Sequence, residues 1–455
     1  MMIPRFIWSK IKWKLGGEFI LFTSMEDCTN FMYRLRAEKH KGEPFRAMNA
    51  ILPLLKNPHE KVPFIHIAGS NGKGSTVNYL REILQTAGYK VGAFTSPHLE
   101  RVNERISING SEISDGRFLA LANRLFRVIE EELDGDYPNF FELMTLIAFQ
   151  YFAEEQVDIA LIEAGIGGRF DCTNVISPLC SIITTVSLDH THILGNSYKE
   201  IAYQKAGIIK RNVPVITAVA NKEALEVICR EARQQHAPLF LYGEDFFVSD
   251  IQTDERKQNF AYHLGNVHLN ITLKMMGAHQ IANAGCAITA ATILRSIGFA
   301  GITDKIIQTA LEKAFWPGRF ERVGSQIILD GSHNPEGTEA LIHTLKRQYP
   351  DKKYKFIYSV MEDKDYHKSI AMIDKVAHAV YFTELPVPRA AKAEELAHCS
   401  GHPDKAVNKD WKAVVEQEMS GLQEDELLVV TGSIFFIAEV RKFLKAKEEA
   451  YDYKF

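Results

Sequence analysis

The feature that most constrains this chain is an apolar run, Phe64–Ala68, that leads directly into Gly69-Ser70-Asn71-Gly72-Lys73-Gly74-Ser75-Thr76. This order predicts a buried strand, a tight turn and the start of a helix. Glycines let backbone N–H groups surround a phosphate, the helix N-terminus adds partial positive charge, and Lys73 supplies a cation. A hydroxyl at Ser75 or Thr76 can reach the phosphates or their magnesium. We therefore predict a phosphate-binding loop; a glycine-rich turn without a ligand is the alternative.

The spacing of this loop differs from the common P-loop pattern. Only two residues separate Gly69 from the Gly72-Lys73 pair, and Gly74 precedes the first hydroxyl. Taken alone, the loop predicts phosphate binding but does not indicate which reaction the phosphate enters.

Length and composition narrow the class of protein. At 455 residues the chain is longer than one hydrophobic core usually allows, so we expect two domains. Apolar residues make up 46% of the chain, charged residues 24%, and the net charge is -4, so neither nucleic acid nor an anionic membrane is an expected partner. Six cysteines without paired short spacings favour reduced thiols in a cytoplasmic protein. No apolar run approaches the roughly 18 residues of a membrane span.

The first 24 residues differ in character from the rest of the chain. Basic residues are interspersed with aromatic ones, and the apolar stretches are too short and too interrupted by charge for a signal peptide. Met25 then opens the acidic, hydroxyl-bearing segment Glu26–Asn30, which is typical of a helix start. We therefore expect residues 1–24 to be an N-terminal appendage or the product of a mis-assigned start codon.

From Pro63 onward, apolar runs rich in β-branched residues alternate with longer amphipathic stretches. This alternation predicts an α/β fold, with a P-loop-type, mostly parallel sheet flanked by helices. Alternating polar and apolar positions in residues 245–274 predict a small antiparallel insertion. Trp316-Pro317-Gly318-Arg319 interrupts the helical pattern, and the βα alternation restarts beyond it. We therefore predict domains over 25–315 and 324–455, the second a smaller Rossmann-like α/β domain, joined by a linker over 316–323.

Three predicted strands end in side chains that can bind magnesium or phosphate. Ser96 follows the strand Lys90–Phe94, Glu163 ends the next strand, and His190 follows the strand Cys180–Val186. Because the carboxyl ends of parallel strands meet at one edge of a sheet, we expect these side chains to share one cleft.

Two predicted helices carry polar residues among apolar ones. Lys205 lies between apolar neighbours at a helical spacing, which fits either a surface lysine extending over its helix or a functional lysine. His279 and Asn283 lie four residues apart, so they share one face of a helix beginning near Gly277.

Together these segments resemble folylpolyglutamate synthases and dihydrofolate synthases, members of the Mur-ligase superfamily, and in particular the bacterial bifunctional type. The resemblance covers the chain from about Asn30 to the C-terminus. One matching block is weak evidence, whereas all of them in this order are specific. The blocks are Gly69–Ser75, Thr95–Leu99, Glu163–Asn174, Leu188–Gly195, Lys205–Ile208, Gly277–Ala284, Pro317–Arg319, Asp330–Pro335 and Thr431–Ser433.

The resemblance implies an ATP-dependent ligase of folate biosynthesis and one-carbon metabolism, with an ATP-binding Mur-ligase central domain and a C-terminal glutamate-ligase domain. The ATP-binding residues that it implies are Asn71, Gly72, Lys73, Gly74, Ser75, Asn283, Arg319 and Asp330. Two magnesium ions would be held by Ser96, Glu163, His190 and, in carbamylated form, Lys205. The implied catalytic residues are Lys73, His190, Lys205 and His333. A monovalent cation is a further cofactor that the resemblance allows.

On the substrate side, the resemblance implies folate binding by Asn139, Phe141 and Asp171, and glutamate binding by His333 and Ser433. The implied reaction joins L-glutamate to the carboxylate of a folate or of dihydropteroate through an acyl phosphate, in a cytoplasmic monomer. The chain departs from the commonest family pattern at Ser70, Cys172, Gln204 and Ser332.

Two other functions are compatible with the phosphate loop. A Mur ligase acting on a UDP-sugar peptide would share the ATP chemistry, but the region around Asp171 and the lack of an evident uridine-binding N-terminal domain argue against it. A non-catalytic nucleotide-binding regulator would need the loop but not Glu163, His190 and Lys205. The joint presence of these three residues favours an enzyme.

Overall fold

The structure, a computed structural model, describes residues 14–15, 18–19, 21–35 and 43–451. The predicted appendage, residues 1–24, therefore lies mostly outside the described residues. Its last residues dock on the first domain, because the Phe22 N–H donates to Asn123 Oδ1 (2.8 Å) and Asn123 Nδ2 donates to the Phe22 carbonyl (2.9 Å). A helix begins at Met25, as predicted, with Ser24 as its N-cap.

The described part of the first domain contains strands and helices in mixed order. The strands are β1 (Lys14–Leu15), β2 (Glu18–Phe19), β3 (Phe64–Ala68), β4 (Val91–Phe94), β5 (Ile106–Ile108), β6 (Ser111–Glu112), β7 (Ile159–Glu163), β8 (Cys180–Ile183), β9 (Val215–Thr217), β10 (Leu239–Leu241), β11 (Phe246–Thr253), β12 (Gln258–Leu264) and β13 (Val267–Leu273). The helices are α1 (Met25–Tyr33), α2 (Arg46–Leu54), α3 (Lys73–Thr86), α4 (Asp115–Glu132), α5 (Phe140–Glu154), α6 (Thr191–Leu194), α7 (Tyr198–Ala206), α8 (Lys222–Gln234), α9 (Ala278–Ser296) and α10 (Asp304–Lys313). Short 3-10 helices occupy Pro58–Glu60, Val102–Arg105 and Cys172–Val175.

The central sheet has the order β10-β9-β8-β3-β7-β4-β5-β6. The strands from β10 to β4 are parallel, and β5 and β6 extend that edge as antiparallel strands. After β3 the chain forms the strands on one side of it, from β4 to β7, and then crosses over β3 to form β8 on its other side. Ligands of open α/β sheets bind at such a reversal, beyond the carboxyl ends of the strands, and here that point is the glycine-rich loop after β3.

Helices cover the parallel strands on both faces. Apolar side chains of α3, α9 and α10 pack on one face, and those of α2, α4 and α5 pack on the other. All five residues of β3 are buried, as expected of a central parallel strand. The predicted antiparallel insertion is the three-stranded sheet β11-β12-β13, which packs against α9 and α10.

The predicted strand Cys180–Val186 is too long by three residues, because β8 ends at Ile183. Beyond Ile183 the chain turns to hold the glycine-rich loop. The Ser70 N–H donates to the Thr185 carbonyl (2.9 Å), and the Thr184 hydroxyl donates to the Asn71 carbonyl (2.6 Å). The hydrophobic pattern therefore overstated the length of β8. The Thr184 N–H still donates to the Ala68 carbonyl of β3 (3.0 Å), but the Thr184 and Thr185 hydroxyls donate to the Asn71 carbonyl of the glycine-rich loop.

The second domain contains a six-stranded sheet. Its strands are β14 (Glu321–Val323), β15 (Ile327–Asp330), β16 (Lys353–Tyr358), β17 (Ala377–Phe382), β18 (Lys405–Val407) and β19 (Glu426–Thr431). Its helices are α11 (Pro335–Gln348), α12 (Tyr366–Ile373), α13 (Ala393–His398), α14 (Trp411–Ser420) and α15 (Ile434–Tyr451). The order is β14-β15-β19-β16-β17-β18, and only the pairing of β14 with β15 is antiparallel.

The chain passes from the first sheet to the second between the end of α10 at Lys313 and the start of β14 at Glu321. The carboxyl ends of β15 and β19 face the glycine-rich loop of the first domain, so one cleft lies between the two sheets. Across the described ranges, each helix is too short or too polar to cross a membrane. All six cysteines lie in these ranges as free thiols, as predicted.

Candidate active site between the two domains

A cavity of about 1220 Å³ occupies the cleft between the domains. All the site residues predicted from the sequence line it: Asn71, Gly72, Lys73, Gly74, Ser75, Ser96, Asn139, Phe141, Glu163, Asp171, His190, Lys205, Asn283, Arg319, Asp330, His333 and Ser433. The cavity also has lining residues that the sequence did not single out, among them Arg105, Asp189, Gln280, Lys364 and Arg389.

The glycine-rich loop depends on glycine where it contacts α9. Gly72 has φ of 87°, and a Cβ at this position would lie 2.3 Å from Asn283 Oδ1. Both the left-handed backbone and the contact exclude a side chain there. The loop is thereby held directly against the helix that carries Asn283.

Lys73 is the first residue of α3 and its ammonium lies over the loop. Its Nζ donates to the carbonyls of Gly69 (3.0 Å) and Ser70 (3.3 Å) and lies 3.8 Å from Glu163 Oε1. The cation is therefore held where the loop and the helix N-terminus present their N–H groups, an arrangement suited to a polyphosphate.

A buried amide connects the loop helix α3 to α9. Gln280 Nε2 donates to the Ser75 hydroxyl (3.3 Å), and Gln280 Oε1 accepts from the Tyr79 hydroxyl (3.3 Å) and from Asn283 Nδ2 (3.4 Å). Gln280 is thus a positioning residue that fixes Asn283 relative to the loop. Its position among small and apolar residues of α9 carried no signal that distinguished it from a core residue.

Glu163, at the end of β7, is a buried carboxylate. Burial raises the pKa of Glu163, while the Lys73 ammonium, the Ser96 N–H and Arg319 act in the opposite direction. Glu163 Oε2 accepts from the Ser96 N–H at 3.2 Å. The predicted metal ligands Glu163 and Ser96 are therefore neighbours at adjacent strand ends, β7 and β4.

The Asp189 carboxylate is surrounded by cationic and polar side chains of the second domain. Lys364 Nζ lies 3.0 Å from Asp189 Oδ1, and His333 Nε2 lies 3.8 Å from Asp189 Oδ2. Burial opposes ionisation of Asp189, but Lys364, His190 and His333 outweigh it and hold its pKa below the usual range. Asp189 is therefore an anion that holds the two domains together beside His190.

Two of the histidines that line the cavity, His190 and His333, are neutral at neutral pH. Burial, together with the ammonium groups of Lys364 and Lys73, lowers the pKa of His190 to about 4 although Asp189 opposes this. Burial and Lys364 lower the pKa of His333 to about 4 as well. His333 Nδ1 lies 3.0 Å from the Gly331 carbonyl, so it carries the proton and Nε2 has the free lone pair.

Lys205, on α7, is 3% exposed. Burial lowers the pKa of Lys205 to about 7, and the nearby Lys73 ammonium adds to the effect. No described residue offers an acceptor oxygen within ion-pair or hydrogen-bond distance of its ammonium. A surface lysine would be exposed and fully charged, so the structure excludes that alternative.

The donor chemistry of the cleft fits magnesium in part. Glu163 and Ser96 provide the oxygen ligands that magnesium prefers, and phosphate oxygens can complete its octahedron. Over the described ranges, no three His, Cys, Asp or Glu side chains converge tightly enough to hold a metal by themselves. Lys205 becomes an oxygen ligand only as a carbamate, and His190 offers a neutral nitrogen.

At the far end of the cavity, Asn139 and Asp171 shape the local backbone. Asn139 Oδ1 accepts from the N–H groups of Phe141 (2.9 Å) and Glu142 (3.1 Å), which caps α5. Asp171 Oδ2 accepts from the N–H groups of Gly165 (2.9 Å) and Ile166 (3.0 Å). Both side chains line the cavity while fixing the turns that bound it.

A buried histidine, His66, contacts the turn that contains Asp171 through the Thr173 hydroxyl. His66 Nε2 lies 2.9 Å from the Thr173 hydroxyl, which in turn donates to Asp171 Oδ1 (2.5 Å). Since the hydroxyl proton is committed to Asp171, the Thr173 oxygen accepts and His66 carries its proton on Nε2. Burial lowers the pKa of His66 to about 3.

We expect His66→Gln to make the protein less sensitive to acid. The unfolded chain binds a proton on this histidine near its reference pKa of 6.5, whereas folded His66 stays neutral down to about 3. The neutral His66 ring therefore causes no loss of stability above pH 6.5. As pH falls from 6.5 towards 3, it lowers the free energy of unfolding by up to about 1.4 kcal/mol per pH unit. Thermal melts at pH 7 and pH 5 should show a smaller loss of Tm for His66→Gln than for the wild type. An equal loss would contradict the prediction, and the exposed His398→Gln is the control.

Direct hydrogen bonds join the two domains across the cleft. The side-chain amides of Asn71 and Asn334 bond to each other reciprocally, at 3.2 and 3.1 Å.

Further from the cleft, Arg441 of α15 bonds through Nε to both carboxylate oxygens of Glu321 (2.8 and 3.0 Å) and through Nη1 to Glu100 (3.2 Å). Glu321 also accepts the Gly318 N–H at 2.7 Å. Arg441 therefore connects two segments. One is the turn at Gly318 that carries Arg319, and the other is the loop after β4 that contains Ser96 and Glu100.

We expect Arg441→Ala to lower both stability and affinity for nucleotide. The buried Glu321 carboxylate would lose its charged partner, which costs about 1–3 kcal/mol, and the turn that carries Arg319 would loosen. Chemical denaturation and the KM for ATP measure the two effects. The neighbouring exposed Lys442→Ala is the matched control, and an unchanged KM with lowered stability would show that Arg441 does not position Arg319.

The fold and the cleft together define a ligase of the Mur type. The family model described as "Mur ligase middle domain" matches residues 67–291, and the one described as "Mur ligase, glutamate ligase domain" matches residues 318–434. The chain is 38% identical over 438 residues to the dihydrofolate synthase/folylpolyglutamate synthase of Bacillus subtilis, covering 93% of this chain and all of that protein. It is 32% identical to the folylpolyglutamate synthase of Lacticaseibacillus casei, covering 88% of this chain and 94% of that protein.

A solved structure gives the same result. The structure described as E. coli FolC in complex with DHPP and ADP superposes with a TM-score of 0.84 at 27% identity, covering 94% of this chain and 99% of that one. The chain therefore belongs to the dihydrofolate synthase/folylpolyglutamate synthase family and is an ATP-dependent acid–amino-acid ligase. The family and the fold class predicted from the sequence are confirmed.

Proposed function

We propose that this protein joins L-glutamate to the carboxylate of a tetrahydrofolate, and also to dihydropteroate, with cleavage of ATP to ADP and phosphate. The observation that carries the proposal is the single cavity in which the glycine-rich loop, the Glu163 carboxylate and the second-domain residue His333 face one another. A cavity of about 1220 Å³ has room for a nucleotide, a pterin and an amino acid together. The B. subtilis relative carries both activities in its name, which supports two acceptors.

In the proposed reaction the loop and its lysine bind the phosphates of ATP. N–H groups of Asn71 to Ser75 surround the β- and γ-phosphates, and Lys73 neutralises charge on the γ-phosphate as it is transferred to the folate carboxylate. Arg319 approaches the same phosphates from the linker, Asn283 contacts the adenine and Asp330 contacts the ribose. ADP leaves, and the product of this step is an acyl phosphate on the folate.

Ser96, Glu163, His190 and a carbamate on Lys205 are the residues that would hold two magnesium ions in this site. Magnesium bound there supplies charge neutralisation at the transferring phosphoryl group. The fit is best for the oxygen donors of Glu163 and Ser96. A monovalent cation as a further cofactor is part of the same proposal, and the dependence of ADP release on potassium concentration tests it.

The second domain brings the amine to the acyl phosphate. We assign His333 and Ser433 to the incoming glutamate, with the free Nε2 lone pair of His333 accepting the proton that the nitrogen releases once it has attacked the acyl carbon. The amine attacks the acyl carbon and phosphate leaves, which completes the amide. Contacts such as Asn71 to Asn334 close the cleft and exclude water, which otherwise hydrolyses an acyl phosphate.

The folate is assigned to the end of the cavity near α5. There Phe141 offers an aromatic face, and its ring lies 5.5 Å from the Phe94 ring. Asn139 and Asp171 bound the same space and offer hydrogen bonds to a pterin ring. Arg105, which lines this end and approaches the Phe140 ring at 5.3 Å, adds a cation that suits an anionic substrate.

The direct test is an ADP-release assay with ATP, magnesium and L-glutamate. Tetrahydrofolate, its one-carbon forms and 7,8-dihydropteroate are compared as acceptors, and product masses give the glutamate chain length. ADP release with both tetrahydrofolate and dihydropteroate supports two acceptors. ADP release with one of them alone limits the proposed activity to that acceptor. No release with any pterin would overturn the substrate class. We also propose a cytoplasmic monomer, which light scattering of the purified protein tests.

A further inference from the structure

A pair of histidines lies outside the catalytic cleft, on the three-stranded sheet. His263 of β12 and His268 of β13 are directly opposite each other in the antiparallel register. Their Nδ1 atoms are 2.9 Å apart. His263 is half-buried and His268 is exposed, so an ion in solution can reach the pair.

The neighbouring strand β11 fixes the His263 ring. The Ser249 hydroxyl donates to Asp250 Oδ2 (2.8 Å), so its oxygen accepts the proton of His263 Nε2 (2.9 Å). This arrangement places the ring proton on Nε2 and leaves the Nδ1 lone pair directed at His268. The Phe247 ring stacks on His263 with centroids 4.7 Å apart and planes inclined by 19°. Histidines that bind metals are oriented in this way, by a partner on the ring nitrogen that does not bind the metal.

The separation of the two nitrogens fits one particular coordination geometry. Two imidazole nitrogens bound at about 2.0–2.1 Å and at a right angle lie about 2.9 Å apart, whereas a tetrahedral angle needs about 3.3 Å. The observed distance is 2.9 Å; in the metal-free protein it is an N–H···N hydrogen bond in which His268 Nδ1 donates to His263 Nδ1, so a bound ion replaces that proton. Right-angled positions are those of square-planar or octahedral ions such as Cu²⁺ and Ni²⁺. Magnesium does not fit, because it requires oxygen ligands.

We propose that His263 and His268 form a surface site for a divalent transition-metal ion of the Cu²⁺ or Ni²⁺ class, with water in the remaining positions. Within the described ranges no third His, Cys, Asp or Glu completes a metal-binding group, so this is a two-ligand site. The ion would link β12 to β13. The linked sheet supports α9, since Gln258 Nε2 of β12 donates to the carbonyls of Met275 (2.7 Å) and Gly277 (3.1 Å) just before that helix.

The test is Cu²⁺ binding to the full-length protein, followed by calorimetry and by electron paramagnetic resonance. Wild type is compared with His268→Gln, and the exposed His398→Gln is the matched control. We expect His268→Gln to weaken binding at this site by about tenfold or more and to remove the coupling to one of two imidazole nitrogens, whereas His398→Gln retains both. Both proteins keep the histidines of the catalytic cleft. Subtracting the spectrum of His268→Gln from that of the wild type therefore removes the contribution of Cu²⁺ bound in the cleft.

Two further readouts separate metal binding from a structural role. Without metal, His268→Gln should match the wild type in Tm and in ligase activity, because His268 is exposed and does not line the catalytic cavity. With Cu²⁺ the Tm of the wild type should rise and that of His268→Gln should rise less, as bound metal stabilises the folded state. Equal affinity and equal spectra for wild type and His268→Gln would overturn the proposal, as would a spectrum with only one imidazole nitrogen.

Discussion

Lys73→Ala is expected to abolish glutamate-dependent ADP formation, with kcat lowered by about 10³-fold or more. The Lys73 ammonium is the cation held directly over the loop, 3.0 Å from the Gly69 carbonyl and 3.8 Å from the Glu163 carboxylate. Its removal takes positive charge from the point where negative charge moves during phosphoryl transfer. Steady-state ADP release with a saturating folate and glutamate measures the loss.

The control for this prediction is the exposed Lys222→Ala, which removes the same charge at the start of α8. It should retain normal turnover. Circular dichroism of Lys73→Ala should match the wild type, since the residue lies at the first turn of α3 and its ammonium contacts the loop and Glu163. The buried Glu163 carboxylate loses its cationic partner, so Tm should fall while the protein stays folded at the assay temperature. Near-normal ADP release by folded Lys73→Ala would refute the assignment of the loop.

Lys205→Ala is expected to lower kcat by about 10²-fold or more, because in the proposed function a carbamate on Lys205 would supply an oxygen ligand for magnesium. A buried amine with a pKa of about 7 is largely neutral above that pH, and only the neutral amine reacts with CO₂. Carbamylation should therefore increase as pH rises through 7 and decline below it. Wild-type activity should fall in buffer depleted of bicarbonate and recover when bicarbonate is restored.

Three comparisons test the Lys205 prediction. Lys205→Ala should not respond to bicarbonate, and added acetate should restore part of its activity by placing a carboxylate in the vacated space. The exposed Lys199→Ala on the same helix should behave like the wild type. A crystal structure with magnesium bound and an unmodified Lys205 remote from the metal would contradict the prediction.

The alternation of strands and helices was visible in the sequence because parallel strands are buried on both faces and must be rich in apolar residues. The strand Ile159–Glu163, the capped helix Phe140–Glu154 and the antiparallel insertion all appear where the pattern predicts them. The error at β8 has a local cause. The residues just beyond Ile183, Thr184 and Thr185, bond to the glycine-rich loop that follows the neighbouring strand β3, and the hydrophobic pattern does not encode such bonds.

The partners of individual side chains were less predictable. The sequence assigned Asn139 and Asp171 by resemblance to folate contacts, while the structure shows their oxygens accepting backbone N–H groups of the turns that bound the cavity. The roles that we propose for them as folate ligands remain predictions. Gln280 and Arg441 carried no sequence signal, because a glutamine among apolar residues and an arginine on an amphipathic helix are ordinary features.

The sequence by itself determined the glycine-lysine loop and the polar residues at three strand ends. Their proximity follows from one rule, that the carboxyl ends of parallel strands meet at one edge. The tertiary structure decided how the second domain completes the site. Asn71 and Asn334 are 263 residues apart in the chain, and Asp189 and Lys364 are 175 apart, so only folding brings them together. It also set the charge of Lys205, because desolvation depends on everything packed around the amine and not on its neighbours in sequence.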